Sequence, residues 1–270
     1  MTFADRFFAT LSESGQLCVG IDPHTSVLSV WGLPDTAAGL REFGLRTVDA
    51  VAGRAGIVKP QVAFFERHGS GGYAALEATI AAARSAGLFV IADCKRGDVG
   101  STVDAYGEAW LSPGSPLEAD AMTAYAYQGI GSLSGVLARA DEFEKGVIVV
   151  AATSNPEGII TQTATRADGR SVAAALVDEV RELPGSGGLV IGATIDPAAY
   201  GLTPERFAGV PILAPGFGAQ GAGLSDLARV FGAASSQVAV HVSRELLAAG
   251  PDGLAPAIDR MVADLRDVTT

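Results

Sequence analysis

The densest charged stretch of the 270-residue chain spans residues 93 to 98 and reads DCKRGD. Asp93 and Lys95 are two residues apart, so in an extended strand their side chains lie on one face while Cys94 faces the other. A carboxylate beside an ammonium stabilises both charged forms and holds the amine proton in place. The pattern predicts a fixed general acid, with a purely structural ion pair as the alternative, and it makes Cys94 a packing residue rather than a catalytic thiol.

Lysine is rare in this sequence, where three of the 19 basic residues are lysines and the others are arginines. A lysine ammonium can transfer a proton near neutral pH, whereas an arginine guanidinium cannot. Lys59 and Lys95 both lie at the ends of predicted strands, which favours a chemical role for them. Lys145 follows an acidic helical segment and is predicted to be an ordinary cation at a helix end.

A glycine-rich turn at residues 215–223 includes Gly218, Gln220 and Gly221, and a predicted helix over residues 224–231 follows it. Such a turn exposes backbone N–H groups, and the helix adds the positive end of its dipole. Arg244 follows the next predicted strand and can add a charge-assisted contact. Loops after the seventh and eighth strands of barrel enzymes frequently bind phosphate, so these residues predict a phosphate site.

The elements that must position these residues are eight short apolar runs separated by helical segments. Apolar runs without polar alternation are typical of a parallel sheet covered by helices. The predicted strands are residues 17–21, 57–59, 89–93, 120–123, 147–151, 189–192, 211–214 and 238–242. Helical spacing is clearest at residues 73–86, 171–183 and 255–268, and residues 1–14 predict a short amphipathic helix. This alternation predicts an α/β fold, a (β/α)₈ TIM barrel forming a single domain over residues 1–270, with an open doubly wound sheet as the alternative.

In a barrel, the chemistry lies where the strands end, at the C-terminal face. The polar residues that follow or end the predicted strands are Asp22, Lys59, Asp93, Lys95, Ser154, Gln220 and Arg244. Each of them alone can be a turn residue or a solvated charge, so their shared position is the argument. The polar connection at residues 155–169 follows the fifth predicted strand and is either a lid or a solvated excursion.

Composition restricts the classes of partner. The chain is 48% hydrophobic and 18% charged, which excludes a disordered protein. A net charge of −11 argues against nucleic acid or an anionic membrane surface as partner. No apolar run approaches the roughly 20 residues that cross a bilayer. Cys18 and Cys94 are the only cysteines, which favours a cytoplasmic protein with two buried thiols over a disulfide framework or a zinc site.

The same residues resemble a known family, the orotidine 5′-phosphate decarboxylases, and specifically their type 2 branch. The matching segments are GIDPH at 20–24, VKPQ at 58–61, AFFE at 63–66, DCKRGDVGST at 93–102, ATSNP at 152–156, PGFGAQG at 215–221 and SR at 243–244. They follow the family's order over nearly the whole chain. Residues 123–127 depart from the family pattern because they lack the Asn-Pro expected after the fourth strand.

The resemblance implies a homodimeric barrel that converts orotidine 5′-monophosphate to UMP and CO₂ in de novo pyrimidine synthesis, with neither metal nor organic cofactor. The implied catalytic residues are Lys59, Asp93 and Lys95 of one subunit and Asp98 of the other. The implied substrate contacts are Asp22 with Lys59 at the ribose, Thr102 close to Asp98 across the interface, Ser154 at the pyrimidine, and Gly218, Gln220, Gly221 and Arg244 at the phosphate.

Elementary chemistry agrees with this function, because loss of CO₂ leaves an electron pair at pyrimidine C6 that the ring delocalises poorly. A protonated Lys95 can stabilise that charge and then deliver its proton. Three alternatives stay open at this point: a phosphosugar lyase of the same superfamily that uses Mg²⁺, an enzyme with Lys59 or Lys95 as a Schiff-base nucleophile, and a non-catalytic barrel that only binds a phosphonucleotide.

Overall fold

The computed structural model describes residues 1–183, 185–218 and 221–269. Within them, eight strands form a closed barrel in chain order, and each strand is parallel to its neighbours. The strands are β1 Leu17–Ile21, β2 Ile57–Pro60, β3 Phe89–Arg96, β4 Ala121–Ala124, β5 Gly146–Ala152, β6 Gly187–Ile191, β7 Ile212–Pro215 and β8 Val238–Val242. Because β8 pairs with β1, with Cys18 opposite His241, the barrel prediction is confirmed and the open sheet is excluded.

Helices alternate with the strands along the described chain. The α-helices are α1 Phe3–Ser14, α2 Thr25–Val30, α3 Ala37–Val51, α4 Val62–Glu66, α5 Gly69–Ser85, α6 Gly100–Leu111, α7 Ser134–Glu142, α8 Pro156–Gln162, α9 Val172–Arg181, α10 Asp226–Phe231, α11 Arg244–Leu247 and α12 Gly250–Thr269. Short 3₁₀ helices occur at Ile130–Leu133, Pro197–Tyr200, Pro204–Phe207 and Gly232–Gln237. None of the helices in the described part of the chain is long and apolar enough to span a membrane.

Helix α1 closes the N-terminal end of the barrel. The Thr2 hydroxyl accepts a hydrogen bond from the backbone N–H of Asp5, and the Asp5 carboxylate accepts one from the Thr2 backbone, which together cap the helix. Phe3 and Phe7 are one helical turn apart and pack on Phe89 of β3, with ring centroids 6.0 and 5.9 Å away. An apolar plug at this end leaves the C-terminal end as the open one.

The barrel interior changes from apolar to polar along the strands. Successive inward side chains of β3 are Phe89 and Ile91, which belong to the interior apolar cluster, and then Asp93. On β2, Ile57 belongs to the same cluster and Lys59 comes two residues later. The alternation of the strands therefore brings charged groups together only near the C-terminal ends.

Lys145 follows α7, as predicted, but it is not an ordinary helix-end cation. Its side chain is buried, and its ammonium lies 3.1 Å from Glu118 Oε1 and 3.8 Å from Asp120 Oδ1. Glu144 has a φ of +55°, which turns the chain directly into β5 and directs Lys145 into these carboxylates beside the start of β4. Lys145 is thus part of a buried ion-pair cluster at the closed end of the barrel.

The connection at residues 155–169 contains a helix that the sequence interpretation lacked. Helix α8 begins with Pro156 in its first turn, where the missing N–H of proline costs no hydrogen bond. Its side chains are not buried, and Ile159 and Ile160 are 45% and 80% exposed. The segment therefore forms a short helix at the open end that carries apolar side chains into solvent.

Candidate active site

The charged array predicted from the sequence is assembled around Asp93. Lys59 and Asp93 are buried, with 2% and 6% of their surface exposed. The Lys59 ammonium donates to Asp93 Oδ2 at 2.7 Å, and the Lys95 ammonium donates to Asp93 Oδ1 at 2.5 Å. Lys59 of β2 therefore forms one ion-paired cluster with Asp93 and Lys95 of β3, although up to 36 positions separate them in the sequence.

Two neutral side chains complete the surroundings of Asp93 among the described residues. Gln61 Nε2 donates to Oδ2 and Thr123 Oγ1 donates to Oδ1, each at 2.9 Å. Burial alone would raise the pKa of Asp93, but the charges and hydrogen bonds of Lys59 and Lys95 outweigh it and hold that pKa well below its usual range. Asp93 is therefore ionised at neutral pH.

Lys59 is protonated at neutral pH for the complementary reason. Burial alone would lower the pKa of its ammonium, but the negative charges of Asp93 and Asp22 outweigh burial and raise it. A buried ammonium held in this way balances charge and donates hydrogen bonds. It is a poor nucleophile, because nucleophilic attack requires the neutral amine.

The contact between Asp93 and Lys95 was predicted, but the backbone that makes it differs from a regular strand. Lys95 has a φ of +47°, in the left-handed region that residues other than glycine rarely adopt. The pairing of β3 with β4 shifts register between Ala92 and Arg96, which marks a bulge. The two side chains meet because the bulge redirects Lys95, and simple alternation does not account for it.

The amine of Lys95 remains accessible, whereas the thiol beside it does not. The Lys95 side chain is 36% exposed, so its ammonium can meet a ligand at the barrel mouth while it contacts Asp93. Cys94 is buried, and burial raises the pKa of its thiol to about 12. A protonated, inaccessible thiol confirms that Cys94 is a packing residue.

Asp22 lies directly after β1, and a neighbouring strand orients it. Ser243, which follows β8, donates from its hydroxyl to Asp22 Oδ2 at 2.6 Å. Asp22 Oδ1 is buried and has no hydrogen-bond partner among the described residues. One carboxylate oxygen is thus held in place while the other remains an unused acceptor, which suits it to receive a ligand hydroxyl.

Arg244 begins α11 and is exposed at the rim of a cavity of about 530 Å³. Asp22, His24, Gln61 and Phe64 line the same cavity, which gives it a cation, a carboxylate and an apolar wall. The predicted ribose residue Asp22 and the predicted phosphate residue Arg244 are therefore brought to one cavity beside the Asp93 cluster.

His241 is a functional candidate that the sequence interpretation missed. It lies in β8 and is buried, and its Nε2 has no hydrogen-bond partner among the described residues. Burial and the positive charge of Lys59 lower the pKa of His241 well below its usual value, so the ring is neutral. A Cβ at Gly20 would lie 2.7 Å from this Nε2 and 2.5 Å from Ser243 Cβ, so the glycine is needed for the ring to fit.

Asp98, Thr102 and Ser154 are predicted site residues for which no described hydrogen bond leads to the Asp93 cluster. The Asp98 carboxylate accepts a hydrogen bond from the backbone N–H of Val99 at 2.9 Å, and none of the described hydrogen bonds links it to Lys95. Thr102, in the first turn of α6, and Ser154, after β5, are both exposed. A single chain therefore brings together the two lysines and Asp93 but leaves Asp98 outside.

In the described residues of the glycine-rich turn, two of the backbone N–H groups that were predicted to be exposed donate within the turn. Gly221 donates from its backbone to Gly218 O at 2.8 Å, and Gly218 donates to Ala222 O at 2.9 Å. Gly218 has a φ of +68°, and a Cβ there would lie against the Glu245 carboxylate, which accounts for the glycine. Gln220, the other predicted phosphate residue of this turn, lies outside the described residues.

Two further residues contact Asp93 without having been assigned a role from the sequence. Gln61 is within the VKPQ segment, and Thr123 is the last residue of the predicted strand 120–123. A polar residue at the end of an apolar strand run was the available signal for Thr123, and His241 gave a similar signal within residues 238–242. No pattern in the sequence alone shows which of these side chains point towards Asp93.

The described residues contain no group of three or more His, Cys, Asp or Glu side chains placed to hold a metal ion. The carboxylates of the site, Asp22 and Asp93, instead accept hydrogen bonds from a hydroxyl and from ammonium groups.

The family model for the orotidine 5′-phosphate decarboxylase / HUMPS family matches residues 15–256 of this chain. This protein belongs to that family. The matched region includes every site residue considered above, from Asp22 to Arg244.

Members of the orotidine 5′-phosphate decarboxylase family resemble the chain over its full length. The orotidine 5′-phosphate decarboxylase of Salinispora tropica is 49% identical, with 100% of this chain and 99% of that protein covered. A crystal structure from Streptomyces avermitilis superposes with a TM-score of 0.93 at 46% identity, covering 98% of this chain and 95% of the other. The OMP decarboxylase of Leishmania donovani gives a TM-score of 0.81 at 31% identity, with 99% of each chain covered.

Proposed function

We propose that this protein decarboxylates orotidine 5′-monophosphate to UMP and CO₂, a step of de novo pyrimidine synthesis, with Lys95 as the proton donor. Family membership, together with near 50% identity to a decarboxylase along the whole chain, makes the protein a carboxy-lyase. The observation that carries the proposed mechanism is the Lys95 ammonium, which is held 2.5 Å from an ionised Asp93 and is still partly exposed.

The bond that breaks joins C6 of the pyrimidine to its carboxylate. CO₂ leaves without the bonding electrons, which stay at C6, and the ammonium of Lys95 stabilises the resulting negative charge. The proton of Lys95 then passes to C6 to give UMP, and the neutral amine takes a new proton from solvent. Every atom and charge is supplied by substrate, Lys95 and water, so the proposed reaction needs neither a metal nor an organic cofactor.

Asp93 and Lys59 prepare the site for that step. Asp93 is kept ionised by four hydrogen-bond donors among the described residues, so its charge fixes the Lys95 ammonium before substrate arrives. A substrate carboxylate placed beside Asp93 is repelled, and the repulsion ends when neutral CO₂ departs. Lys59 limits the net negative charge of the cluster.

The remaining predicted residues bind the parts of the substrate that do not react. Asp22 Oδ1 is an acceptor with no partner among the described residues, so it suits a ribose hydroxyl. The negative charge of Asp22 also interacts with the Lys59 ammonium, which suits Lys59 to the same end of the substrate. Arg244 suits the phosphate, and Ser154 suits the pyrimidine edge. Gly218 and Gly221 shape the glycine-rich turn, because their backbone N–H groups donate to Ala222 O and Gly218 O within it. Binding energy from the phosphate can position the ring and so increase the rate as well as the affinity.

We propose further that the active form is a cytoplasmic homodimer in which Asp98 and Thr102 of one subunit complete the site of the other. Asp98 is not bonded to Lys95 within the described chain, although they are three residues apart. Val99 follows Asp98 in the chain, and Tyr125 and Tyr127 follow β4; their side chains are 53%, 45% and 86% exposed, and a second copy would cover them. Both cysteines are buried free thiols, which suits a reducing compartment.

The test is direct. Purified protein is treated with EDTA and given orotidine 5′-monophosphate, and the loss of substrate absorbance in the ultraviolet is followed while UMP is identified as product. Turnover that survives EDTA is the expected result. Turnover that requires added Mg²⁺, or a substrate adduct trapped by borohydride, would point to metal-assisted or Schiff-base chemistry, and the absence of UMP under every condition would refute the proposal.

A further inference from the structure

We propose that Thr123 is a positioning residue whose single hydroxyl fixes both Asp93 and Lys95 for proton transfer. The role rests on the function proposed above, because it is defined by the step in which Lys95 protonates C6. Thr123 does not contact the substrate in this scheme, and it acts only through these two residues.

The bulge in β3 places three residues opposite one. Ala92 pairs with Met122 and Arg96 pairs with Ala124, so residues 93–95 of β3 face Thr123 alone on β4. A bulge removes the regular ladder partner of a backbone N–H group. At this position the unpaired group belongs to Lys95, whose φ of +47° is itself uncommon for a lysine.

The Thr123 hydroxyl replaces the missing ladder partner. The backbone N–H of Lys95 donates to Thr123 Oγ1 at 2.9 Å, and Thr123 Oγ1 donates to Asp93 Oδ1 at 2.9 Å. The same Asp93 oxygen accepts the Lys95 ammonium. The hydroxyl therefore closes a ring that runs from the Lys95 backbone through Thr123 and Asp93 to the Lys95 amine.

Only a hydroxyl can make both of these contacts from one atom, because it accepts from one group while it donates to another. Asp93 is ionised and can only accept, so the hydroxyl proton is directed to it and the oxygen is left to accept from Lys95. Thr123 is 0% exposed, so its hydroxyl is shielded from bulk water. Serine would preserve the ring, whereas valine has the same shape and preserves only the packing.

Removing the hydroxyl frees Lys95 at the two points that set its direction. The backbone N–H of Lys95 loses its acceptor, Thr123 Oγ1, at the bulge. The Lys95 amine then contacts an Asp93 carboxylate that has lost the hydrogen bond from Thr123. The lysine side chain is long and flexible, so a released backbone lets the amine move away from the position that C6 requires. Substrate binding is affected much less. Asp22 and Arg244, which are proposed to bind the substrate, follow β1 and β8 and do not depend on the bulge between β3 and β4.

The experiment compares Thr123→Val, Thr123→Ser and a matched control. Thr123→Val is expected to lower kcat about 10–100-fold, the scale of a misplacement of about 1 Å in a catalytic group, while KM changes less than threefold. Thr123→Ser is expected to keep kcat within threefold of wild type. The control is Thr47→Val, which removes the hydroxyl of another fully buried threonine, one that donates only to Phe43 O within α3.

Thermal melts establish that each variant is folded, and Thr123→Ala serves as a second test without the hydroxyl if the valine variant does not fold. A crystal structure of the valine or alanine variant is expected to show the Lys95 amine displaced from Asp93. An unchanged kcat in a folded variant without the hydroxyl, or a Lys95 that keeps its backbone and amine positions there, would overturn the role of Thr123.

Failure of the proposed function gives a different pattern. If wild-type protein leaves orotidine 5′-monophosphate intact, the decarboxylase proposal falls, and the crystal structure of the variant still decides whether the hydroxyl positions Lys95. If the wild type is active and Thr123→Val is equally active, only the role of Thr123 is refuted.

Discussion

Replacement of Lys95 by alanine is the perturbation that most directly tests the charged array. The Lys95 side chain is 36% exposed, and Asp93 keeps Lys59, Gln61 and Thr123 as donors without it. Asp93 is buried, but the Lys59 ammonium still compensates its charge when Lys95 is removed, so Lys95→Ala should be folded. Loss of the general acid costs a factor of about 10²–10⁴, and loss of the stabilising charge about 10²–10³ more, so kcat should fall by about 10⁴–10⁷.

The assay follows decarboxylation by ultraviolet absorbance and UMP binding by calorimetry, each at neutral pH. UMP binding should stay measurable in Lys95→Ala, because the residues proposed to hold ribose and phosphate remain. Lys95→Arg is the sharper comparison, since it keeps the positive charge but cannot give up a proton. A kcat within tenfold of wild type for either variant would contradict a proton donated by Lys95.

Three other predictions concern the substrate contacts, the subunit interface and pH. Arg244→Ala should raise KM for the nucleotide about 10–100-fold, the value of one charge-assisted hydrogen bond, and an equal loss for phosphate-free orotidine would contradict a phosphate contact. Mixing inactive Asp98→Ala and Lys95→Ala subunits should restore part of the activity, because one site of the mixed dimer has both an intact Lys95 and an intact Asp98. Confirmed heterodimers without activity would argue for a site within one chain. Because the folded-state pKa of Asp93 is depressed, its charge contributes stability that is fully present above its unfolded pKa of about 3.9 and is lost as pH falls towards the folded pKa. Asp93→Asn should therefore show a shallower loss of unfolding free energy than wild type below about pH 4 in denaturant titrations, and parallel curves would refute this linkage.

The two ends of the barrel use similar residues for different purposes. At the closed end, Lys145 is buried against Glu118 and Asp120, and helix α1 covers the barrel beside them. At the open end, Lys95 contacts Asp93 but keeps about a third of its side chain exposed. Accessibility of the ammonium, and not the ion pair itself, separates a structural lysine from a candidate proton donor.

The sequence by itself predicted parallel strands covered by helices and the polar residues at the strand ends, whereas closure into a barrel was settled by the pairing of β8 with β1. Eight apolar runs separated by helical segments predict such a sheet, and parallel strands bring their C-terminal residues to one face. Lys59 comes near the end of β2, and Asp93 and Lys95 come near the end of β3, so all three could be placed at the same face of the sheet. The buried, unreactive state of Cys94 also followed from alternation along the strand.

Tertiary structure alone decided how Lys95 is directed and what surrounds Asp93. A bulge depends on the register between β3 and β4, which no local pattern specifies, and it gives Lys95 its positive φ. Thr123 and His241 lie on other strands than Asp93, and the pairing of β3 with β4 decides that the Thr123 hydroxyl meets the Asp93 carboxylate. Tertiary structure also decided the burial of Lys145, because its partners Glu118 and Asp120 come from the segment just before β4. Local sequence sets which residues end a strand, whereas packing between strands sets which atoms of those residues meet.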